Sequence, residues 1–147
     1  MKKVLFFLTV SLLMCVQVQA QMMNATLHIA DHAIRVDPKS AQKVMKKESF
    51  KKLTRKGDII YFESKKLSSD AMMILSGDYV DYLKFLFPNM PSPREVDAAV
   101  FHCGYRFVGG DGPDRRYRKG PLVLYTSRIY DNPNYVFGFV IKYEPEF

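Results

Sequence analysis

The chain has 147 residues, 48% of them apolar, and 22 basic residues against 15 acidic ones, which gives a formal net charge of +7. This length accommodates one domain, and the apolar content can supply a hydrophobic core without covalent cross-links. Of the two cysteines, Cys15 lies in the leader described below, so Cys103 alone remains and a disulfide within the mature chain is excluded.

Residues 1–20 have the pattern of a secretory signal peptide. Two lysines precede an apolar run over residues 4–16, and Val18 and Ala20 are the small residues that a signal peptidase requires. The run is shorter than the roughly 20 residues of a membrane-spanning helix. We therefore expect cleavage after Ala20, no transmembrane segment after cleavage, and a single secreted or periplasmic domain over residues 21–147. That compartment is poor in ATP and nicotinamides, and no cofactor is expected.

The positive charge of the mature chain is concentrated in residues 38–66, which hold ten basic and three acidic residues. Asp37 and Pro38 predict the start of a helix, which continues or restarts at Ser49 and ends at Gly57. A strand is expected directly after Gly57. Residues 25–36, which precede this basic stretch, fit a helix or a strand equally well.

The middle of the chain is predicted to be largely helical. Apolar spacing indicates a helix over residues 68–88 that is interrupted at Gly77. Ser92 and Glu95 match a capping box, which predicts a helix to about Val100 and a strand by Gly104, although residues 96–103 also suit a strand. Residues 109–121 carry no core-facing pattern and are predicted to form a long loop.

Two β-rich runs at the C-terminus, residues 122–130 and 135–144, flank a four-residue turn signal and predict a hairpin. If Tyr130 lies opposite Tyr135, one face of the hairpin is strongly aromatic and is expected to pack on the helices. The predicted fold class is α+β, with an N-terminal helical half packed on a C-terminal antiparallel sheet that ends in this β-hairpin.

No catalytic or metal-binding motif is complete, so no catalytic residue and no metal ligand is assigned. His102 and Cys103 are adjacent, and their side chains therefore diverge in a helix or a strand. His28 and His32 have the spacing of two metal ligands on a helix but lack an identified third ligand. Burial is the expected state of the Cys103 thiol.

The charge distribution therefore directs the functional hypothesis. We expect a noncatalytic extracytoplasmic binding module whose basic surface meets an anionic envelope component or a partner protein. The leader argues against a nucleic acid partner. The alternative is a small secreted hydrolase or transferase that uses Cys103 or a histidine-centred site. The candidate binding residues come from the basic helix and from the loop, where guanidinium groups would contact an anion beside a stacking tyrosine unless the charges of the loop pair with one another. They are Lys43, Lys46, Lys47, Lys51, Arg115, Arg116, Tyr117 and Arg118.

Overall fold

The structure is a computed structural model that describes residues 22–146 and, separately, Lys3. The leader predicted over residues 1–20, apart from Lys3, and the cleavage site after Ala20 lie outside the described residues. Within the described part of the chain, no helix combines the length and the apolar character that crossing a bilayer requires.

Residues 22–146 form three helices and one eight-stranded antiparallel sheet, which confirms the mixed α+β class. The strands lie in the order β1-β2-β3-β4-β8-β7-β6-β5. The expected division into a helical half and a sheet half holds only roughly, because the sheet begins at residue 51 and a helix lies between β4 and β5. The elements are α1 (residues 22–33), α2 (Pro38–Lys47), β1 (Lys51–Lys56), β2 (Ile59–Ser64), β3 (Ser69–Ser76), β4 (Tyr79–Phe87), α3 (Pro93–His102), β5 (Arg106–Asp111), β6 (Asp114–Lys119), β7 (Leu122–Arg128) and β8 (Phe137–Tyr143).

The sheet consists of two units of the same design, which the sequence analysis did not detect. Each unit is a ten-residue helix, capped by Asp37 or Ser92 and started by proline, followed by four strands. The first residues of α2, β1 and β2 precede those of α3, β5 and β6 by 55 residues in every case. Because β4 pairs with β8, the two units meet at the centre of the sheet as an approximate two-fold pair.

Two predictions for the basic stretch and its successor are wrong. The helix does not continue or restart at Ser49, since Ser49 has a positive φ of 69° and β1 begins two residues later. Residues 68–88 form β3 and β4, with Gly77 at a φ of 60° in the turn between them. Both faces of these strands carry apolar side chains, and this hides the two-residue period from which a strand is recognised.

The predicted loop over residues 109–121 is also wrong. These residues complete β5 and form β6, joined by a tight turn in which Gly112 has a φ of 53°. Residues 96–103 are helical as far as His102, and the capping box at Ser92 and Glu95 is present, as expected. The ambiguous segment 25–36 is helical through residue 33.

Alternate strand residues point to opposite faces of the sheet. On the face that we call the covered face, side chains pack with those of the helices in one core. Phe137, Phe139 and Ile141 of β8 are buried in it, in the register with β7 that the sequence predicts for residues 122–128. A fully buried row crosses six neighbouring strands and consists of Ile60, Met73, Leu83, Ile141, Leu124 and Tyr117.

The opposite face, called the open face below, carries side chains that are mostly half-buried rather than buried. Its character changes from one side of the sheet to the other, because the central strands carry apolar and tyrosine side chains with Lys84 and Lys142 among them, whereas β5 and β6 carry arginines. A row across it consists of Tyr61, Met72, Lys84, Val140, Tyr125 and Arg116.

Candidate functional site

A groove of about 550 Å³ lies between α2 and β1 and is the main basic feature of the first unit. Helix α2 buries Ala41 and Met45, so the lysines at positions 43 and 46 project away from the core. The turn at Ser49 then brings β1 back beside the helix. The groove is lined by Gln42, Lys43, Lys46, Ser49, Phe50, Lys51, Lys52 and Phe62.

The four lysines of this groove, called the lysine groove below, are all exposed. None of them belongs to an ion pair formed among the described residues. Glu63 of β2 lies opposite Lys51 in the strand register, but no described carboxylate is within ion-pair distance of any of the four, so their charges add to a local positive potential. The arrangement can attract an anion and can donate several hydrogen bonds to it through the ammonium groups, the Gln42 amide and the Ser49 hydroxyl.

The sequence-predicted lysines are only partly brought together. Lys43, Lys46 and Lys51 line the lysine groove, whereas Lys47 faces a separate depression beside His28 and Glu48. Lys52 is a groove residue that the sequence analysis missed. Recognition of Gly57-Asp58 as a hairpin turn would have identified β1 and placed Lys52 at the groove.

The predicted arginine-rich site is divided because its residues lie on a strand and not on a loop. Arg116 and Arg118 point to the open face, whereas Arg115 and Tyr117 point to the covered face. Arg115 Nη1 lies 2.7 and 2.8 Å from the two carboxylate oxygens of Asp97 in α3. Tyr117 is fully buried, and its hydroxyl donates to the same carboxylate at 2.6 Å.

These contacts give Arg115 and Tyr117 a structural role. Burial, together with the hydrogen bond to Asp97, raises the pKa of Tyr117 to about 12. A buried ring cannot stack beside an external anion, so the expectation of an exposed stacking tyrosine among the arginines is corrected. The charges of this segment are in part paired, as the alternative interpretation of the loop supposed.

The second unit carries different residues at some of the positions that are equivalent to the lysine groove. The positions 55 residues after Lys46, Lys52 and Phe62 are Phe101, Phe107 and Tyr117. Phe101 and Phe107 pack edge-on against Tyr117, with ring centroids 6.3 and 5.8 Å away. The unit can therefore form with aromatic rings at these positions, so a lysine at position 46 or 52 is not a requirement of the fold.

Cys103 is half-buried at the C-terminal end of α3, not fully buried as expected. Its Sγ lies 3.9 Å from Asn24 Oδ1 of α1. Burial and the nearby Asp31 carboxylate raise the pKa of the thiol against the opposing effect of Lys119. A raised pKa leaves less thiolate at neutral pH, which is the opposite of nucleophile activation.

The histidines of α1 contact each other and one carboxylate. The ring centroids of His28 and His32 are 4.5 Å apart, and His28 Nε2 lies 3.6 Å from Glu48 Oε1. Among residues 22–146, no three histidine, cysteine or acidic side chains are grouped in a way that could hold a metal ion.

No protein-family model, no curated protein and no solved structure matches the chain.

Proposed function

We propose that the protein is a noncatalytic extracytoplasmic binding module and that the lysine groove binds an anionic partner. The observation that supports this is the convergence of four exposed lysines from α2 and β1 on one groove, with no ion pair to any described carboxylate. The equivalent positions of the second unit strengthen it, because Lys43, Lys46 and Lys52 correspond there to Ala98, Phe101 and Phe107, and only Lys51 has a basic counterpart, Arg106.

The chemistry of the groove suits a multivalent anion. Ammonium groups on flexible stems act as point charges that adapt to phosphate, sulfate or carboxylate groups. The hydrogen-bonding groups of Gln42 and Ser49 can select an oxygen-rich ligand. With the leader that the sequence predicts, the partner would be an anionic envelope component or the acidic surface of another secreted protein.

The alternative of a hydrolase or transferase has weaker support. The Cys103 thiol is half-buried and its pKa is raised. The two histidines of α1 contact each other and Glu48. We therefore place the function at the lysine groove and not at these residues.

The test replaces Lys43, Lys46, Lys51 and Lys52 by glutamine. The matched control replaces Lys39, Lys47, Lys56 and Lys66, which are also exposed but do not line the groove. Binding to heparin and to vesicles that contain phosphatidylglycerol is then measured by titration calorimetry. Both variants lose four positive charges, so a difference between them reports position and not net charge.

We expect the groove variant to lose at least tenfold in affinity for one of these probes and the control variant to lose much less. Binding by the wild-type protein should also weaken as salt is raised to about 0.5 M, where the Debye length is well below 10 Å. Equal losses of affinity in the two variants would mean that binding depends on net charge and not on the lysine groove. Unchanged binding by the groove variant would reject the proposal.

A further inference from the structure

The open face offers a second surface, away from the lysine groove. Residues 129–136 cover one end of it, since the Ile129 side chain lies 3.2 Å from the position that a Cβ atom on Gly138 would occupy. At that end, burial and a hydrogen bond to Asp70 raise the pKa of Tyr135 to about 12. The opposite end of the open face, over β5 and β6, carries Arg106, Arg116 and Arg118.

The acidic C-terminal residues of the chain lie against these cations. Glu146 Oε1 is 3.1 Å from Arg106 Nη2 and 3.3 Å from Arg118 Nε. Arg118 Nη1 also donates to the Glu144 carbonyl oxygen at 2.6 Å. Arg116 is exposed and forms no ion pair within the described part of the chain.

The neighbouring strands hold a second carboxylate in the same way. Lys142 Nζ lies 2.7 Å from Glu144 Oε1, and the Tyr125 hydroxyl donates to both carboxylate oxygens of Glu144 at 3.0 and 3.1 Å. The hydrogen bonds from Lys142 and Tyr125 lower the pKa of Glu144 against the effect of burial. Two glutamates of one short segment are thus bound side by side across four strands, β5 to β8.

We propose that Arg106, Arg116 and Arg118 form a docking surface for an acidic extended segment of a partner protein, and that Glu146 of the chain itself occupies two of these arginines until the partner displaces it. Charge complementarity identifies the occupant, because the chain's own Glu146 carboxylate already binds two of these arginines, and Arg118 also donates to a backbone carbonyl of the same segment. Val140 and Tyr125 lie in the same row as Arg116 and provide apolar contacts that a small inorganic anion would not use.

The proposal requires that the internal contact is weak enough to be displaced. The side chains of Arg106 and Glu146 are 70% and 62% exposed, and exposed ion pairs contribute little to stability. Arg118 is only 17% exposed, but its Nη1 keeps the Glu144 carbonyl oxygen as an acceptor when the Glu146 charge is removed. Removal of the Glu146 charge should therefore leave folding intact and free the arginines. This makes Glu146→Gln the decisive variant.

The probe is a fluorescent peptide with the sequence of residues 143–147, and its control has glutamine at both glutamate positions. Anisotropy at low salt measures its binding to the full chain. We expect Glu146→Gln to bind the glutamate peptide about two- to fivefold more tightly than the wild-type protein, the range that an exposed ion pair corresponds to. Addition of Arg106→Gln and Arg118→Gln should abolish that binding.

A matched control distinguishes this surface from the lysine groove. Lys43→Gln and Lys46→Gln, placed in the Glu146→Gln background, remove the same charge at the other site and should leave peptide binding unchanged. Equal binding by the wild-type protein and Glu146→Gln, equal binding of the two peptides, or loss of binding in the Lys43 and Lys46 control would each overturn the proposal. So would Arg106-dependent binding to phosphatidylglycerol vesicles without binding to the peptide.

Discussion

The hydrogen bond between Tyr117 and Asp97 joins β6 to α3, and its removal should measurably destabilise the protein. Tyr117→Phe deletes only the hydroxyl and leaves the ring in the core. The bond is 2.6 Å long and its acceptor is a carboxylate. Hydrogen bonds to charged groups contribute about 1.5–3 kcal/mol. The Asp97 side chain is 30% exposed, and Arg115 continues to pair with it, so we expect a loss near the lower end, about 1–2 kcal/mol.

Asp97→Ala should cost more, about 2–3 kcal/mol, because it leaves both the Tyr117 hydroxyl and the partly buried Arg115 guanidinium without their acceptor. The double variant should then be more stable than the sum of the two losses implies, with a coupling of about 1 kcal/mol. Additive losses would mean that the two groups do not interact in solution.

Urea unfolding at pH 7 measures these changes. The chain has no tryptophan, so far-UV circular dichroism is the appropriate signal. For an m-value of about 1–3 kcal/mol per molar urea, a loss of 1.5 kcal/mol lowers the midpoint by about 0.5–1.5 M. Tyr130→Phe is the control, because Tyr130 is 78% exposed. If Tyr117→Phe and Tyr130→Phe unfold at the same midpoint, the hydrogen bond does not stabilise the fold.

Three further predictions test other parts of the structure. Gly110→Ala should destabilise the protein by more than about 3 kcal/mol in the same urea assay, because Gly110 has a φ of 107° and a Cβ atom there would collide with the backbone of β6. Gly112 has a φ of 53° and open space around it, so Gly112→Ala should cost only about 1 kcal/mol. Cys103 should react with iodoacetamide more slowly in the native protein than in urea, since burial raises the pKa of its thiol; rapid native labelling at pH 7 would refute this and favour the catalytic alternative. The carboxyl of Glu144 has a lowered pKa in the folded protein, so its contribution to the free energy of unfolding is present above its ordinary pKa of 4.5 and is lost as the pH falls through the lower folded value. The stability difference between wild type and Glu144→Gln should therefore shrink below pH 4.5, and a constant difference down to pH 2 would contradict the contact with Lys142.

Local signals in the sequence were sufficient for the elements that depend on neighbouring residues. The caps at Asp37 and Ser92 and the prolines that follow them define the starts of α2 and α3, because a helix terminus is satisfied by groups within one turn. The register between β7 and β8 also follows from the sequence, since a slip by one residue would turn Phe137 and Phe139 out of the core.

Strands with apolar residues on both faces, such as β3, could not be assigned from local sequence signals. Met72 and Ile74 lie on the open face of β3, while Met73 lies on the covered face, so the two-residue period disappears and a helical stripe fits as well. The burial of Met73 depends on Ile60 and Leu83 of the neighbouring strands, and only the folded sheet provides them.

The candidate sites show the same division between sequence and tertiary structure. Composition and charge placed the positive excess in residues 38–66, but the lysine groove exists only because β1 returns beside α2 and adds Lys52 to the lysines of the helix. Arg115 and Arg116 are adjacent in sequence and chemically identical. Successive side chains of β6 point to opposite faces of the sheet, so Arg115 reaches Asp97 of α3 on the covered face while Arg116 lies on the open face. The face that a side chain occupies therefore determines its partners.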